Sequence, residues 1–333
     1  MDSLTQIRLT RALVDIDSTT GREGEAGAWL ASQLRALGYT VTEQLVSDGR
    51  FNVVATLDSP PHIVFSTHFD CVPPFFPSRE QGGRLYGRGS CDAKGTAMAQ
   101  VAAAQRLREG GATRIGLLFV VGEERGSDGA TLANTMAQPS RFLINGEPTD
   151  NRLASATRGM YRVRLHARGR AAHSSQPELG VSAIDRLVDA LVALRAVSWP
   201  SDPDLGTTYY TVGVISGGVA PNVIPAEAHA EVMFRTVSDH RPLGKMIDDA
   251  IGSLAEREDV LYVPPARLKT LDGFATAVFN FTTDIPFLDR WGTPLLVGPG
   301  SVVEAHTADE SVEIAELHRA TEIYVDLAQR LMN

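Results

Sequence analysis

The sequence predicts an α/β fold: a domain built on a mostly parallel sheet, interrupted by an inserted α+β, ferredoxin-like domain. Three observations carry that prediction. Apolar runs at 62–67, 115–121 and 141–145 are nearly continuous, as in strands covered on both faces rather than half exposed. Helical patterns at 96–107 and 128–136 separate them, the alternation that builds a parallel sheet. Between about 159 and 269 the runs give way to period-two alternation, the signature of strands with one wet face.

In chain order, residues 4–14 have helical spacing, and a second helix over 25–37 ends where Gly38 supplies a C-terminal cap. Strands follow at 39–45, 51–57 and 62–67, the last stopping at His68-Phe69-Asp70. A glycine-rich turn, 82–89, leads to Ser90-Cys91-Asp92-Ala93-Lys94-Gly95 and the alanine-rich helix over 96–107, which puts Asp92 near a helix N-terminus, where a carboxylate is favoured. The apolar run from Ile115 ends on Glu123-Glu124; if strand geometry persists there, the two carboxylates point in different directions and suit different tasks. The strand at 141–145 runs into Gly146-Glu147-Pro148. Three strands thus end on potential metal ligands, and in open parallel sheets ligands bind beyond the carboxyl ends of the strands.

In the middle stretch, 161–167, 209–215 and 226–236 alternate as strands, while 181–197 and 243–257 read as amphipathic helices. This predicts a small antiparallel sheet with helices on one face. The expected division is residues 1–158 and 270–333 for the catalytic domain and 159–269 for the insertion. A short apolar strand at 293–297, the turn Gly298-Pro299-Gly300, the segment Ala305-His306-Thr307-Ala308-Asp309-Glu310 and a last helix at 312–332 complete the chain.

A chain of 333 residues, 43% hydrophobic and 21% charged, is long enough for a large globular core. Its net charge of -9 argues against a nucleic-acid partner, which needs a basic surface. Charges interrupt the first 16 residues, so no signal-peptide core is expected there, and no segment approaches a membrane span. Two cysteines, Cys71 and Cys91, cannot make a disulfide framework; they fit a reducing compartment and a cytoplasmic location.

Collected, the candidate ligands are His68, Asp92, Glu124, Glu147 and His306. Imidazole and carboxylate together suit zinc, with manganese or cobalt as alternatives, and the lack of a paired thiolate set argues against structural zinc. One bridging carboxylate, with a histidine and a further acid for each ion, makes a two-metal site able to acidify a water. Glu123, next to a ligand but aimed elsewhere, is the candidate general acid/base that moves a proton from water to the leaving nitrogen. Asp70 is placed to accept a hydrogen bond from the second ring nitrogen of His68 and fix its tautomer. The cysteines are not needed as ligands, and Lys94 is read as supporting the turn.

His68-x-Asp70, the glycine-rich approach to Cys91-Asp92-x-Lys94-Gly95, Glu123-Glu124, Glu147-Pro148-Thr149 and Gly298-Pro299-Gly300 followed by Ala305-His306-Thr307 together resemble the co-catalytic zinc family of acetylornithine deacetylase, succinyl-diaminopimelate desuccinylase, aminoacylase and glutamate carboxypeptidase. The resemblance spans nearly the whole chain. It implies that Asp92 bridges two divalent ions, Zn2+ or Co2+, that His68 and Glu147 hold one and Glu124 and His306 the other, and that Glu123 is the acid/base. It implies that the insertion is a lid mediating a homodimer, with His173 stabilising the tetrahedral oxyanion and Asn222 and Arg235 gripping the substrate carboxylate. Taken alone, His173 reads as a surface loop histidine and Arg235 as a solvated strand residue. The implied activity is removal of the acyl group from an N-acyl amino acid, acetylornithine or acetylcitrulline foremost, with a dipeptidase, a carboxypeptidase or the desuccinylase as alternatives. Cys91 before Asp92 is similar to the acetylornithine deacetylase branch. The segment 271–282 departs from the family pattern by being short, which puts the acyl donor in question.

Overall fold

The computed structural model of the protein describes residues 1–57, 60–137 and 139–332. The chain divides into two compact units: Met1–Ser155 with Leu268–Ala277 and Thr283–Asn333, and Ala156–Arg267 with Val278–Thr282.

The first unit is built on a six-stranded sheet in the order Thr40–Ser47, Arg50–Thr56, Ile115–Val120, Ile63–His68, Phe142–Asn145, Thr293–Leu296. The last four strands in that order run parallel, and the first pair joins them antiparallel. The apolar runs are apolar because both faces are covered. Ile63, Phe65, Leu117, Phe119 and Ile144 meet helices Ser3–Val14, Gly24–Ala36, Lys94–Glu109 and Ile314–Met332 through Leu13, Leu30, Ala97 and Tyr324. The alternate residues Val64, Leu118, Val120 and Leu143 pack with Ala130, Ala133, Leu288 and Trp291 on the other face. Ile63–His68 is flanked by the two other strands that lead into acids, so His68, the Glu123-Glu124 turn and Glu147 emerge together at the carboxyl ends of the parallel strands. Helix Gly24–Ala36 ends as expected, with Gly38 at φ +85°.

The second unit is a four-stranded antiparallel sheet in the order Tyr209–Gly217, Glu227–Thr236, Gly159–Arg168, Glu256–Val263. Tyr161, Val163, Leu165 and Ala167, with Ala228, Ala230, Val232 and Phe234, face helices Ala183–Arg195 and His240–Ile251. The opposite face carries charge, including Arg164 to Glu231 at 2.7 Å and His166 to Glu258 at 3.0 Å. Here the structure corrects the sequence reading: the helix expected over 243–257 is His240–Ile251, and Glu256–Val263 is a strand. Asp239 caps the helix one turn earlier than expected, accepting from the Arg241 amide. Gly252 ends it, and the following Glu256-Arg257-Glu258-Asp259 has the composition of a helix but alternates as a strand, with Glu256 and Glu258 on the wet sheet face and Arg257 on the helix side, where it bonds Asp248 at 2.8 Å.

Candidate metal centre

His68 is the last residue of its strand and is 1% exposed, so its ring direction is set by packing and by its partners. Its Nδ1 donates to the Asp70 carbonyl oxygen at 3.0 Å, which aims Nε2 at Asp92 Oδ1; Nε2 donates to that oxygen here and, once deprotonated, offers its lone pair to a cation. The carboxylate of Asp70 is 3.4 Å from Nδ1, so the orienting acceptor is the main chain of Asp70 more than the side chain expected from sequence. That carboxylate instead accepts from the Glu123 amide at 3.1 Å, the Glu124 amide at 3.3 Å and the Thr20 hydroxyl at 2.8 Å. Asp70 thereby ties the turn bearing the two glutamates to the loop bearing His68.

The turn itself differs from expectation. The strand stops at Val120, Gly122 turns the chain at φ +78°, and Glu123–Arg125 form a 3₁₀ turn. A Cβ at Gly122 would sit 1.9 Å from Asp128 Oδ1, so no other residue fits without breaking the Asp128–Arg50–Glu23 ion network. Glu123 and Glu124 still diverge, because a 3₁₀ turn places successive side chains about 120° apart, not because of strand alternation.

Asp92 precedes helix Lys94–Glu109 and presents its two oxygens to two histidines: Oδ1 is 3.0 Å from His68 Nε2, and Oδ2 is 3.3 Å from His306 Nε2. His306 Nε2 is also 2.9 Å from Glu124 Oε1, and Glu147 Oε2 is 3.7 Å from His68 Nε2. Ligand atoms of His68, Asp92 and Glu124 all lie within 4.8 Å of one another. The structure thus brings together all five residues proposed as ligands, with Asp92 between the His68–Glu147 and Glu124–His306 pairs. His306 sits at φ +63° on an exposed loop, whereas the other four side chains are 11% exposed or less.

The electrostatics suit divalent cations. Glu147 is pushed up to about 8 by burial, with Asp92 and Asp284 adding to the shift against His68, and its Oε1 is buried without a hydrogen-bond partner among the described residues. Burial also holds Glu123 well above the carboxylate range, with Glu147, Asp284 and Glu124 adding to the shift. His306 is raised to about 10 by its bonds to Asp92 and Glu124. For Asp92, burial opposes ionisation, but the hydrogen bonds from His306 and His68 prevail and lower it. Buried acids this close, one with an orphaned oxygen, together with two Nε2 donors, form a donor set that fits two hard-to-borderline divalent ions.

Two buried acids near this centre were not assigned roles from sequence. Asp284 is 1% exposed and is raised to about 7 by burial. Glu310 is fully buried and bonds the main chain of the Asp92 loop. Neither lies in a run whose local pattern announces it, although Glu310 follows His306 closely. Lys94 is buried and donates to the Ile16 carbonyl at 2.7 Å, holding the turn as expected. Burial raises both thiols, Cys71 and Cys91, and so keeps them protonated.

His173, Asn222 and Arg235 belong to the second unit. His173 is exposed; its Nδ1 accepts from the Ser175 amide at 3.1 Å, so Nε2 carries the proton and can donate. The Asn222 carbonyl accepts from the Ser174 amide at 3.0 Å, and His173 bridges Val223, so these two segments are held together. Arg235 lies on the sheet face opposite the helices, across from Met160 and Tyr209.

Residues 64–330 match the model of peptidase family M20/M25/M40. A peptidase M20 domain-containing protein of Schizosaccharomyces pombe is 38% identical over 323 residues, covering 93% of this chain and 81% of that protein. A probable carboxypeptidase of Aspergillus terreus is 37% identical over 373 residues, covering 97% of this chain and 85% of its own. The crystal structure of aminopeptidase PepT from Bacillus cereus superposes with a TM-score of 0.82 at 20% identity over 100% of both chains, a likeness of fold.

Proposed function

We propose, from the premise that the chain belongs to peptidase family M20/M25/M40 and is a hydrolase of amide bonds, that it releases an amino acid bearing a free α-carboxylate. The observation that carries the reading is Asp92, whose two oxygens face His68 and His306 with Glu147 and Glu124 beside them. Two divalent ions held by those residues, Zn2+ foremost with Co2+ able to substitute, supply polarisation of the amide carbonyl and acidification of a water.

The residues of the chain do the remaining work. Glu123, raised by burial, takes the proton of the attacking water and returns it to the leaving nitrogen, a role that needs a carboxyl poised above its ordinary range. Asp70 holds the amides of Glu123 and Glu124, which keeps shuttle and ligand in register. His173 offers an Nε2–H to the developing oxyanion, and Asn222 with the planar fork of Arg235 receives the substrate carboxylate. The second unit serves as a lid through which two copies pair. The two buried thiols favour a reducing, cytoplasmic setting.

For the acyl side, a peptide is the first reading, because the Aspergillus terreus relative is described as a probable carboxypeptidase. An acetylated amino acid such as acetylornithine or acetylcitrulline is the second, favoured by Cys91 preceding Asp92. The purified protein with zinc or cobalt should be assayed on dipeptides, on N-acetyl amino acids and on the same compounds with the carboxylate amidated. Turnover of the free acids with at least tenfold loss on amidation supports the reading. Equal turnover of the amidated forms would sink it.

A further inference from the structure

Glu310 stands four residues beyond His306, fully buried, and is used by none of the steps above. Its Oε1 accepts three main-chain N–H groups from a single turn: Gly89 at 3.0 Å, Cys91 at 3.1 Å and Asp92 at 3.1 Å. Its Oε2 accepts from Arg88 Nη1 at 2.6 Å. Arg88 is itself 1% exposed, donates through Nε to the Pro74 carbonyl at 3.2 Å and lies over the Phe76 ring at 5.1 Å. The main chain of Glu310 joins in, its carbonyl accepting from the Gly87 amide at 3.1 Å.

Three N–H groups on one oxygen is a nest for an anion, and only an ionised carboxylate satisfies it while also neutralising a buried guanidinium. The Asp92 amide is one of the three, so the carboxylate fixes the main chain from which the shared ligand projects. The clamp also ties that turn to the segment carrying His306, the other residue that Asp92 Oδ2 faces.

We propose that Glu310 is a positioning residue, the internal anion that sets Asp92 between His68 and His306 and so determines how tightly the centre holds cations. The proposal rests on the two-metal reading of Asp92. Removing the charge leaves either the buried N–H donors or Arg88 Nη1 without an acceptor and lets the Asp92 turn relax, which is how supporting partners of metal ligands act on affinity.

The test compares zinc affinity, by chelator competition, of the parent protein, Glu310→Gln, Glu310→Asp and Asp92→Asn, with the melting temperature of each recorded in excess chelator. Glutamine keeps the size but carries an amide nitrogen that must face either the N–H nest or Arg88. The expected result for Glu310→Gln is a loss of zinc affinity of about 10- to 100-fold. Glu310→Asp, which keeps the charge, should recover part of that loss. If Glu310→Gln does not fold, Glu310→Asp alone decides: its zinc affinity falls at least several-fold while its metal-free melting temperature stays near that of the parent. Parental affinity in whichever variant folds overturns the proposal, as does a fall in metal-free stability with affinity unchanged. A parent protein that binds zinc no better than Asp92→Asn defeats the two-metal reading instead, and so separates the two failures.

Discussion

Replacing Glu123 by glutamine isolates proton transfer from metal binding. The substitution conserves shape, and the contact that pins this turn, Asp70 Oδ1 to the Glu123 amide at 3.1 Å, belongs to the main chain and survives. None of the short contacts among His68, Asp92, Glu124, Glu147 and His306 includes Glu123, so metal content should not change. What is lost is the one group proposed to serve both water deprotonation and protonation of the leaving nitrogen. General acid/base groups contribute about 10²- to 10⁴-fold, and a group acting in two steps belongs in the upper half of that range. A fall in kcat of about 10³-fold corresponds to roughly 4 kcal/mol at 1.36 kcal/mol per decade. The assay is kcat on the best substrate beside metal stoichiometry by elemental analysis. Turnover within tenfold of the parent, at full metal occupancy, would refute the role.

The two histidines should separate fold from function. His68→Ala removes a fully packed ring and strands the buried oxygens of Asp92 and Glu147, at a cost of about 1–3 kcal/mol in denaturant unfolding, together with loss of metal. His306 is 49% exposed, so His306→Ala loses less packing than His68→Ala and should cost less, about 1 kcal/mol for the oxygens of Asp92 and Glu124 it leaves unpaired, while still weakening metal binding; matching stability losses in the two variants would contradict this. Affinity for zinc should rise with pH between about 6 and 8. With no cation bound, Glu147 at about 8 and His306 at about 10 hold protons near neutrality, and each proton a cation displaces adds about tenfold in affinity per pH unit. Isothermal titration in buffers of different ionisation heat should show net proton release; none would exclude the linkage. Gly95→Ala places a Cβ 2.2 Å from the Ser90 carbonyl oxygen, a main-chain clash beside Asp92, and should cost about 3 kcal/mol by thermal or denaturant unfolding. An unchanged melting temperature would mean that the turn yields freely.

Much of the centre is legible in the chain because its chemistry is local to strand ends. An apolar run must be buried on both faces, and the first acid or histidine after it emerges where the parallel strands stop, so His68, Glu123, Glu124 and Glu147 announce themselves. The Gly-rich approach to Asp92 and the turn before His306 are likewise local signals. The second unit shows where that reasoning fails: Glu256–Val263 carries a helix-like cluster of charges, and only its pairing with Gly159–Arg168 makes it a strand.

Composition and spacing by themselves determined the α/β class, the emergence of acids at the ends of parallel strands, the set of donors suited to divalent metals and the presence of a differently patterned middle segment. Tertiary structure alone decided that Asp92 lies between the two histidines, that the Asp70 carboxylate serves the Glu123-Glu124 amides while its carbonyl orients the His68 ring, and that Glu310 anchors the Asp92 turn. The physical reason is sequence separation. Glu310 meets its amide donors across 218 to 221 residues and His306 meets Glu124 across 182, contacts that no local periodicity encodes because they exist only once the sheet has closed the chain upon itself.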